Sequence, residues 1–440
     1  MKKEITKRYD VVVAGGGIAG ISAALKARRL GVKVLLIEQY SFVGGMSTAG
    51  MVSPFMKHSI KDELLVRGIF EELEMEMKKR DGMIDNGFYA SSFRLAAFDL
   101  LIKSKVDILL NSTIIKVNRN RNRIHSLEVI FEGKIFIVQA DVFIDATGDA
   151  QLVYLGNFPW VKGDEETKKL QALTLFFRMG GIDLNEALEY VKKNKDNFFS
   201  WMTFDFDISQ IISVAGYFKE IEKAKSEKRI SEDINYIFFT TLPESDEASF
   251  NTTNILDVDG SSSFELTKAE LIGREQVWQV VKFLQNDIPG FKKSYLIETA
   301  VQVGVRETRR AIGEYVIQEE DILNCRKFDD AVARGCYGID IHGQRDEQSR
   351  LDEMPEDDFY EVPLRALIVK DADNLLVAGR NVSATRKAHG ALRIMPTSAA
   401  MGEATGTIAA LSVLNKIEIR QVLTYEIQKR ILHNLDKRFS

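Results

Sequence analysis

Tyr9-Asp10-Val11-Val12-Val13-Ala14-Gly15-Gly16-Gly17-Ile18-Ala19-Gly20 is the stretch whose reading decides the fold. Tyr9 to Ala14 is short and rich in β-branched residues, the pattern of a buried strand. Gly20 to Leu30 is rich in Ala and Leu and stops at Gly31, so it reads as a helix with a glycine beyond its end. Val32 to Ile37 reads as a second buried strand. Gly15, Gly17 and Gly20 match GxGxxG between strand and helix, the setting that gives this pattern meaning. Gly15 permits the tight turn, Gly17 lets a pyrophosphate approach the backbone, and Gly20 lets helix and strand pack closely. Ile18 and Ala19 open the helix, whose free N–H groups and positive dipole end favour an anion. Glu38 closes the second strand, with Gln39 beside it. Its carboxylate can accept from both hydroxyls of a ribose, and its charge would repel a 2′-phosphate, which disfavours NADP. A glycine-rich turn without a ligand is the competing reading. The motif by itself does not separate FAD from NAD.

Working outward, the chain has 440 residues, with Lys+Arg 59 against Asp+Glu 64, a net charge of −5 that speaks against a nucleic-acid or anionic-membrane binder. Hydrophobic residues make up 45%, enough for a large core at a length that suggests two to three structural units. The 2 cysteines and 5 histidines exclude a disulfide scaffold and a Cys-rich metal or iron–sulfur site. Cys325 and Cys336 do not form a CxxC, so no dithiol centre is expected, nor is any metal site. Lys2, Lys3, Lys7 and Arg8 before an apolar run imitate a secretory leader. Glu4, Asp10 and the glycines of the run argue instead for a cytoplasmic chain without a membrane span.

Residues 62–80 and 92–104 are predicted helical, and 106–118 and 123–138 form an antiparallel ribbon followed by the strand Val142 to Ile144. Between 160 and 290 the character changes to longer amphipathic stretches, such as Ile208 to Ala224 and Phe264 to Leu284, without a second glycine fingerprint. From about 295 the βα pattern returns, at Tyr295 to Val303, Ala311 to Gln318 and Asn374 to Ala378. Helices are then predicted over Pro396 to Leu414 and 417–436.

Three further segments point to FAD. Phe42-Val43-Gly44-Gly45-Met46-Ser47-Thr48 resembles the Gly-Gly-x-[Ser/Thr] stretch of FAD-dependent oxidoreductases, which runs under the flavin side of the cofactor. Phe143-Ile144-Asp145-Ala146-Thr147-Gly148-Asp149-Ala150 resembles the strand end ATGD of the same flavoproteins. Asn374-Leu375-Leu376-Val377-Ala378-Gly379-Arg380-Asn381 resembles their late FAD contact, with Gly379-Arg380 where many have Gly-Asp. With Val303-Gly304-Val305-Arg306-Glu307-Thr308-Arg309-Arg310, Gly338-Ile339-Asp340-Ile341-His342 and His389-Gly390-Ala391-Leu392-Arg393-Ile394-Met395-Pro396, the resemblance covers almost the whole chain. It is to the single-chain FAD-dependent oxidoreductases related to the succinate/fumarate flavoprotein group. Asn254 stands where that family often has an arginine.

The resemblance implies an α/β fold: a Rossmann-type, glutathione-reductase-like FAD-binding domain with an inserted α+β substrate or cap domain. The expected division is 1–156 and 296–416 for the FAD-binding domain, 157–295 for the cap and 417–440 for a C-terminal helix. FAD is expected to be non-covalent, since residues 39–57 lack the histidine that attaches it in some relatives. The expected contacts are Gly15, Gly17, Ile18, Ala19, Gly20, Glu38, Gln39, Gly44, Gly45, Met46, Ser47, Thr48, Ala146, Thr147, Gly148, Asp149, Gly379, Arg380, Met395, Pro396, Thr397 and Ser398. Pro396 suits a first helical turn, and Thr397 and Ser398 can satisfy its early N–H groups. The N-terminal dipole of that helix would favour negative charge on a flavin. Gly402 and Gly406 would let the helix approach a neighbour closely.

Few side chains are candidates for chemistry. His125 and His433 are expected to face solvent, and His58 lies in a loop with two lysines. His342, at the end of an apolar strand, and His389, in the loop before the late helix, are the acid/base candidates, with a structural role open for each. Arg306 and Arg393 are the candidate arginines for a substrate carboxylate or for flavin charge, with Arg393 preferred; an ion pair with a neighbouring acid is the alternative. These features predict hydride transfer between flavin N5 and a small organic substrate, one reading of the arginines being that it carries a carboxylate. An electron-transfer subunit serving a redox partner protein, or a flavin-binding protein without catalysis, are the alternatives. Oligomeric state is not legible.

Overall fold

Val11–Ala14 and Val34–Ile37 are buried at every position, as strands covered on both faces must be. They pair in parallel, from Val11 with Val34 to Ala14 with Ile37, and the helix Ile18–Arg29 crosses between them. The strands belong to a computed structural model that describes residues 3–61, 63–242, 245–345, 347 and 349–431. Val142–Asp145 and then Leu375–Val377 extend the parallel sheet on one side, and Asp107–Leu109 extends it on the other. The chain therefore leaves this sheet after Asp145 and returns to complete it late in the sequence.

Alternation along the strands sorts the two faces. Val11 and Val13 point into a core with the helices, while Val12 and Ala14 meet Leu127, Val129 and Val138. Those partners belong to a four-stranded layer built from Lys3–Arg8, Lys134–Gln139, Arg123–Phe131 and Thr113–Asn120. On the helical side, Met395–Asn415 is buried at every residue from Pro396 to Ser412. A helix apolar all round is an interior helix. It lies against Ile18–Arg29, where a Cβ on Gly402 or Gly406 would overlap the carbonyl oxygens of Ala19 and Ala23.

A separate antiparallel sheet runs in the order Ser213–Gly216, Ile237–Thr241, Ala248–Phe250, Phe177–Gly180 and Tyr295–Thr299. Phe177 stacks on Phe250 with centroids 4.8 Å apart, and Phe239 and Phe291 close the cluster. The long helix Ser263–Asp287 starts at Ser262, whose hydroxyl accepts from the Glu265 amide, and buries Val277, Val280, Phe283 and Leu284 in the same core. The whole is an α/β architecture with a Rossmann-type sheet and a second, antiparallel layer.

Several local expectations are corrected. The helix expected over 62–80 is confined to Ile69–Lys78, because Gly68 enters it at φ 66° after a short strand pair. Ile208 to Ala224 is not one amphipathic element. The strand Ser213–Gly216 ends at Tyr217, whose φ of 66° turns the chain into the helix Phe218–Ser226. The element expected at 417–436 is a short 3-10 turn, Ile419–Gln421, and the helix Thr424–Arg430. Its remainder, with His433, lies outside the described residues.

Replacing Gly406 with Val is expected to destabilise the protein by about 2–3 kcal/mol, because neither helix backbone can yield. Chemical unfolding monitored by circular dichroism measures it. Substituting exposed Leu414 by Ala on the same helix should cost far less.

Candidate functional site

A cleft of about 560 Å³ runs along the C-terminal edge of the parallel sheet, where open α/β sheets receive ligands. Its floor is the turn after Ala14. Gly15 has φ 95°, and a Cβ there would stand 2.5 Å from the Ala146 carbonyl oxygen, so the turn itself requires glycine. Gly17 differs: a Cβ there meets nothing in the protein nearer than Gly45 Cα at 3.9 Å. The missing side chain leaves room on the cleft side, as the close approach of a ligand requires. Gly20 faces the opposite way, tight against the Gly15 carbonyl, and holds helix to strand.

Two helix N-termini meet this cleft. Ile18–Arg29 has neither a side-chain cap nor an acid in its first turn, and Ile18 and Ala19 line the space. Met395–Asn415 likewise has no side-chain cap and no first-turn acid, with proline in the first turn; Met395 and Ser398 line the space. The expectation that Thr397 and Ser398 cap this helix is thus corrected. Thr397 is buried behind the cleft, and the first-turn N–H groups remain without side-chain acceptors. Two uncapped termini facing one cleft fit an anionic dinucleotide.

Glu38 lies at the far end. It is 6% exposed and accepts from Gly16 N at 2.6 Å and Tyr40 N at 3.0 Å. Burial pushes its carboxyl up while those amides pull it down. A carboxylate has about four acceptor sites, so these amides leave acceptor capacity for a ribose. Gln39, Gly44, Gly45, Met46, Ser47, Ala146, Thr147, Gly148, Asp149, Gly379 and Arg380 also border the cleft. Thr48 and Pro396 do not: the Thr48 hydroxyl donates to the Val43 carbonyl at 3.0 Å, which shapes the Gly44–Gly45 turn from behind. Arg380, standing where an acid is common, pairs with Asp149 at 2.6 Å and donates to Thr308 Oγ1 at 3.1 Å. Among the bordering residues that sequence reading missed are Tyr40, Gln151, Glu270 and Gln302. Glu270 and Gln302 come from the antiparallel region, and only the way the chain closes over the sheet brings them there.

Behind one wall lies a charged cluster that reaches the cleft through Arg393, while Arg306 and His342 are not among the bordering residues. Arg393 borders the cleft and donates to Asp340 Oδ2 at 3.1 Å and to the Asp340 carbonyl at 3.2 Å. His342 Nε2 lies 3.3 Å from the same Oδ2, and the Tyr337 hydroxyl donates to it at 3.1 Å. Arg306 donates to the Ala172 carbonyl at 2.7 Å; burial and the neighbouring Arg393 push its guanidinium down to about 10. His342 is held below the usual imidazole range by burial and Arg306, against the pull of Asp340. Asp340 is held far down by His342, Arg393 and Arg306 together, despite its burial. Arg393 Nε and the fully buried Gln171 Nε2 have no hydrogen-bond acceptor.

The structure does not bring His389 to this group. It lies in the helix Arg386–Leu392 rather than a loop, because the Thr385 hydroxyl caps that turn. It is fully buried, with Nε2 on the Arg380 carbonyl at 2.8 Å, and burial with three nearby arginines holds it well below its usual range. His58 is also away from the cleft, 3.7 Å from Glu74. His125 is exposed. Cys325 and Cys336 are separate and buried.

The comparisons with known proteins agree with this geometry. A family model described as FAD dependent oxidoreductase matches residues 10–431. The chain belongs to the FAD dependent oxidoreductase family. It is a flavoenzyme, and FAD is its cofactor. Digeranylgeranylglycerophospholipid reductase of Picrophilus torridus is 30% identical over 155 residues, 32% of this chain and 39% of that protein. Thiamine thiazole synthase of Methanococcus aeolicus is 30% identical over 151 residues, 32% of this chain and 54% of that protein. The chain thus spans less than two thirds of each of these relatives. A solved geranylgeranyl bacteriochlorophyll reductase-like structure from Thermoplasma acidophilum superposes with a TM-score of 0.48 and 14% identity, covering 97% of this chain and 83% of the other. No helix among the described residues is long and apolar enough to cross a membrane.

Gly17→Val is expected to lose FAD while the fold survives, because the side chain has room in the protein but fills the ligand's space. The ratio of flavin to protein absorbance, set beside the unfolding midpoint of the apoprotein, reports both. Glu74, pushed up to about 7 by burial from 4.5, gives the pH test. Its proton is held more tightly folded than unfolded, so its ionisation destabilises the fold progressively from about 4.5 to about 7. Glu74→Gln should therefore gain about 3 kcal/mol above that range and nothing below it, in unfolding curves across pH.

Proposed function

We propose that this flavoenzyme transfers a hydride between flavin and a small organic substrate bearing a carboxylate, which Arg393 and Arg306 hold. The observation that carries this is the charge count at the wall of the cleft. Arg393 pairs with Asp340, Arg306 lies near enough for its charge to be felt by both, and the adjacent histidine is held toward its neutral form. The cluster keeps one unbalanced positive charge, and burial makes that charge costly until an anion joins it. The unpartnered Arg393 Nε and Gln171 Nε2 supply donors that such an anion can use.

FAD, when bound, supplies the redox chemistry. Gly15, Gly17, Glu38, the 44–47 turn and the 146–149 segment would hold it, and the N-terminus of 395–415 would favour negative charge upon it. Arg393 would orient the substrate carboxylate at the cleft. His342, neutral and anchored by Asp340, would accept a proton at one ring nitrogen, and Asp340 would stabilise the imidazolium that results. The closing wall of Gln302, Val303 and Val305 would exclude water.

The same reading divides the chain into a cofactor-binding body, 1–156 and 296–416, a cap over 157–295 and a C-terminal 417–440 segment. It places the protein in the cytoplasm, with any electron-exchanging partner protein secondary to direct turnover.

Anaerobic titration of the FAD-loaded chain with small mono- and dicarboxylates is expected to perturb the flavin band, and a true substrate to bleach it. Arg393→Gln should weaken that carboxylate binding about 100-fold. A flavin band that no carboxylate moves overturns the reading. With a substrate in hand, flavin reduction should slow as pH falls through the His342 transition, which lies below 6.5. Asp340→Asn should move that inflection to still lower pH, since it removes the group that raises the histidine.

A further inference from the structure

The helix Ser263–Asp287 buries one face in the antiparallel region and leaves the other uncovered by the described residues. On the free face Phe264, Leu271 and Trp278 are 90%, 70% and 55% exposed. Seven-residue spacing keeps them in one stripe that drifts only about 20° per step. An outward helix face in a globular chain is ordinarily polar, and a stripe of two aromatics and a leucine marks an interaction surface. We propose that the same helix of a second copy covers it, packed antiparallel about a two-fold axis at Leu271.

In that arrangement the stripe is complementary to itself in both its apolar residues and its flanking charges. About the axis Leu271 meets Leu271 of the partner subunit, and Phe264 meets Trp278 of the partner subunit, twice over. Lys268 and Glu275 follow Phe264 and Leu271 by four residues and lie on one flank of the stripe. A two-fold axis across the helices keeps that flank on the same side in both copies. It sets Lys268 within roughly one residue's rise, about 1.5 Å along the axis, of Glu275 of the partner subunit. Both residues are exposed. Lys268 has no ion pair among the described residues, and Glu275 accepts only from Gln279, at 3.3 Å. In a parallel pairing the two-fold would run along the helices and carry this flank to the other side of the seam, so Lys268 and Glu275 of the partner subunit would not meet; their match belongs to the antiparallel direction. Arg274, on the other flank, is turned aside to the Ala300 and Val301 carbonyls and to Glu270, and does not cross the seam.

The surface is isologous, the commonest form of dimer. It also bears on the cofactor cleft, because the first turns of this helix supply Ser263, Leu266 and Glu270 to its border. The partner would brace the element that closes over the cleft.

The test uses the FAD-loaded full chain. Sedimentation velocity is expected to show a dimer for the unaltered protein and a monomer for Leu271→Glu that still retains its flavin. Leu271→Cys, on the axis, should cross-link to its own copy on mild oxidation; Cys325 and Cys336 are buried and do not compete. Lys268→Glu should weaken the dimer about tenfold, and adding Glu275→Lys should restore it, a recovery that misfolding cannot imitate. A monomeric unaltered chain, a dimer that survives Leu271→Glu, or a Leu271→Cys chain that forms no cross-link overturns the proposal.

Discussion

Helices 18–29 and 395–415 meet backbone against backbone at Gly402 and Gly406, with the carbonyls of Ala19 and Ala23 filling the space where side chains would stand. Most of the functional geometry depends on that approach. It lets a helix from the first strand–helix–strand unit and one from the end of the chain both begin at the same cleft. Each uncapped N-terminus carries roughly half a positive charge. A larger residue at either glycine would force the helices apart and separate the two termini. The crossing therefore links covalently distant parts of the chain into one anion-binding floor.

A second constraint keeps the walls of the cleft in register. Asp145 is fully buried at the end of its strand. It accepts from the Thr147 amide and hydroxyl, the Leu152 and Val153 amides, and Asn381 Nδ2. Burial alone would push its proton up, and these donors oppose that. Five donors from three segments turn a costly buried carboxylate into a junction. It joins the 146–149 segment, the short helix after it and the Gly379–Asn381 turn, all of which border the cleft. Arg310 does the same beneath the active wall, held by Glu307, Glu165 and the Gly163 and Ala384 carbonyls.

These roles were unequally legible in the sequence. Gly15, Gly17, Gly20 and Glu38 could be read because a tight turn, a backbone approach and a ribose each demand one residue type at one spacing. The cluster of Arg306, Asp340, His342 and Arg393 was half legible. Three members were singled out by type, but Asp340, which ties them together, is an ordinary acid in a three-residue strand until its partners are seen around it. His389 misled for the opposite reason: it shares a segment with Arg393, and only the cap at Thr385 turns its ring inward onto the Arg380 carbonyl. Glu270 and Gln302 left no local signal, since their place depends on how the antiparallel region closes over the parallel sheet. Tyr217 broke an amphipathic pattern through a backbone angle that periodicity does not encode.

The cleft is also divided electrically, and the division accounts for where its arginines stand. The helix termini at its floor offer backbone amides; of the two guanidiniums beside them, Arg380 is neutralised by Asp149, and Arg309 donates to the Asp149 carbonyl and lies over the Tyr154 ring. Glu38 is satisfied by amides as well. A dinucleotide seated there would need no further side-chain cation. Behind the other wall the balance is incomplete: Arg306 and Arg393 outnumber Asp340, and Arg393 carries the surplus to the cleft border. On the proposed reading, backbone dipoles at one end and a surplus guanidinium at the other would let a single cleft take a cofactor and a substrate anion without making them competitors.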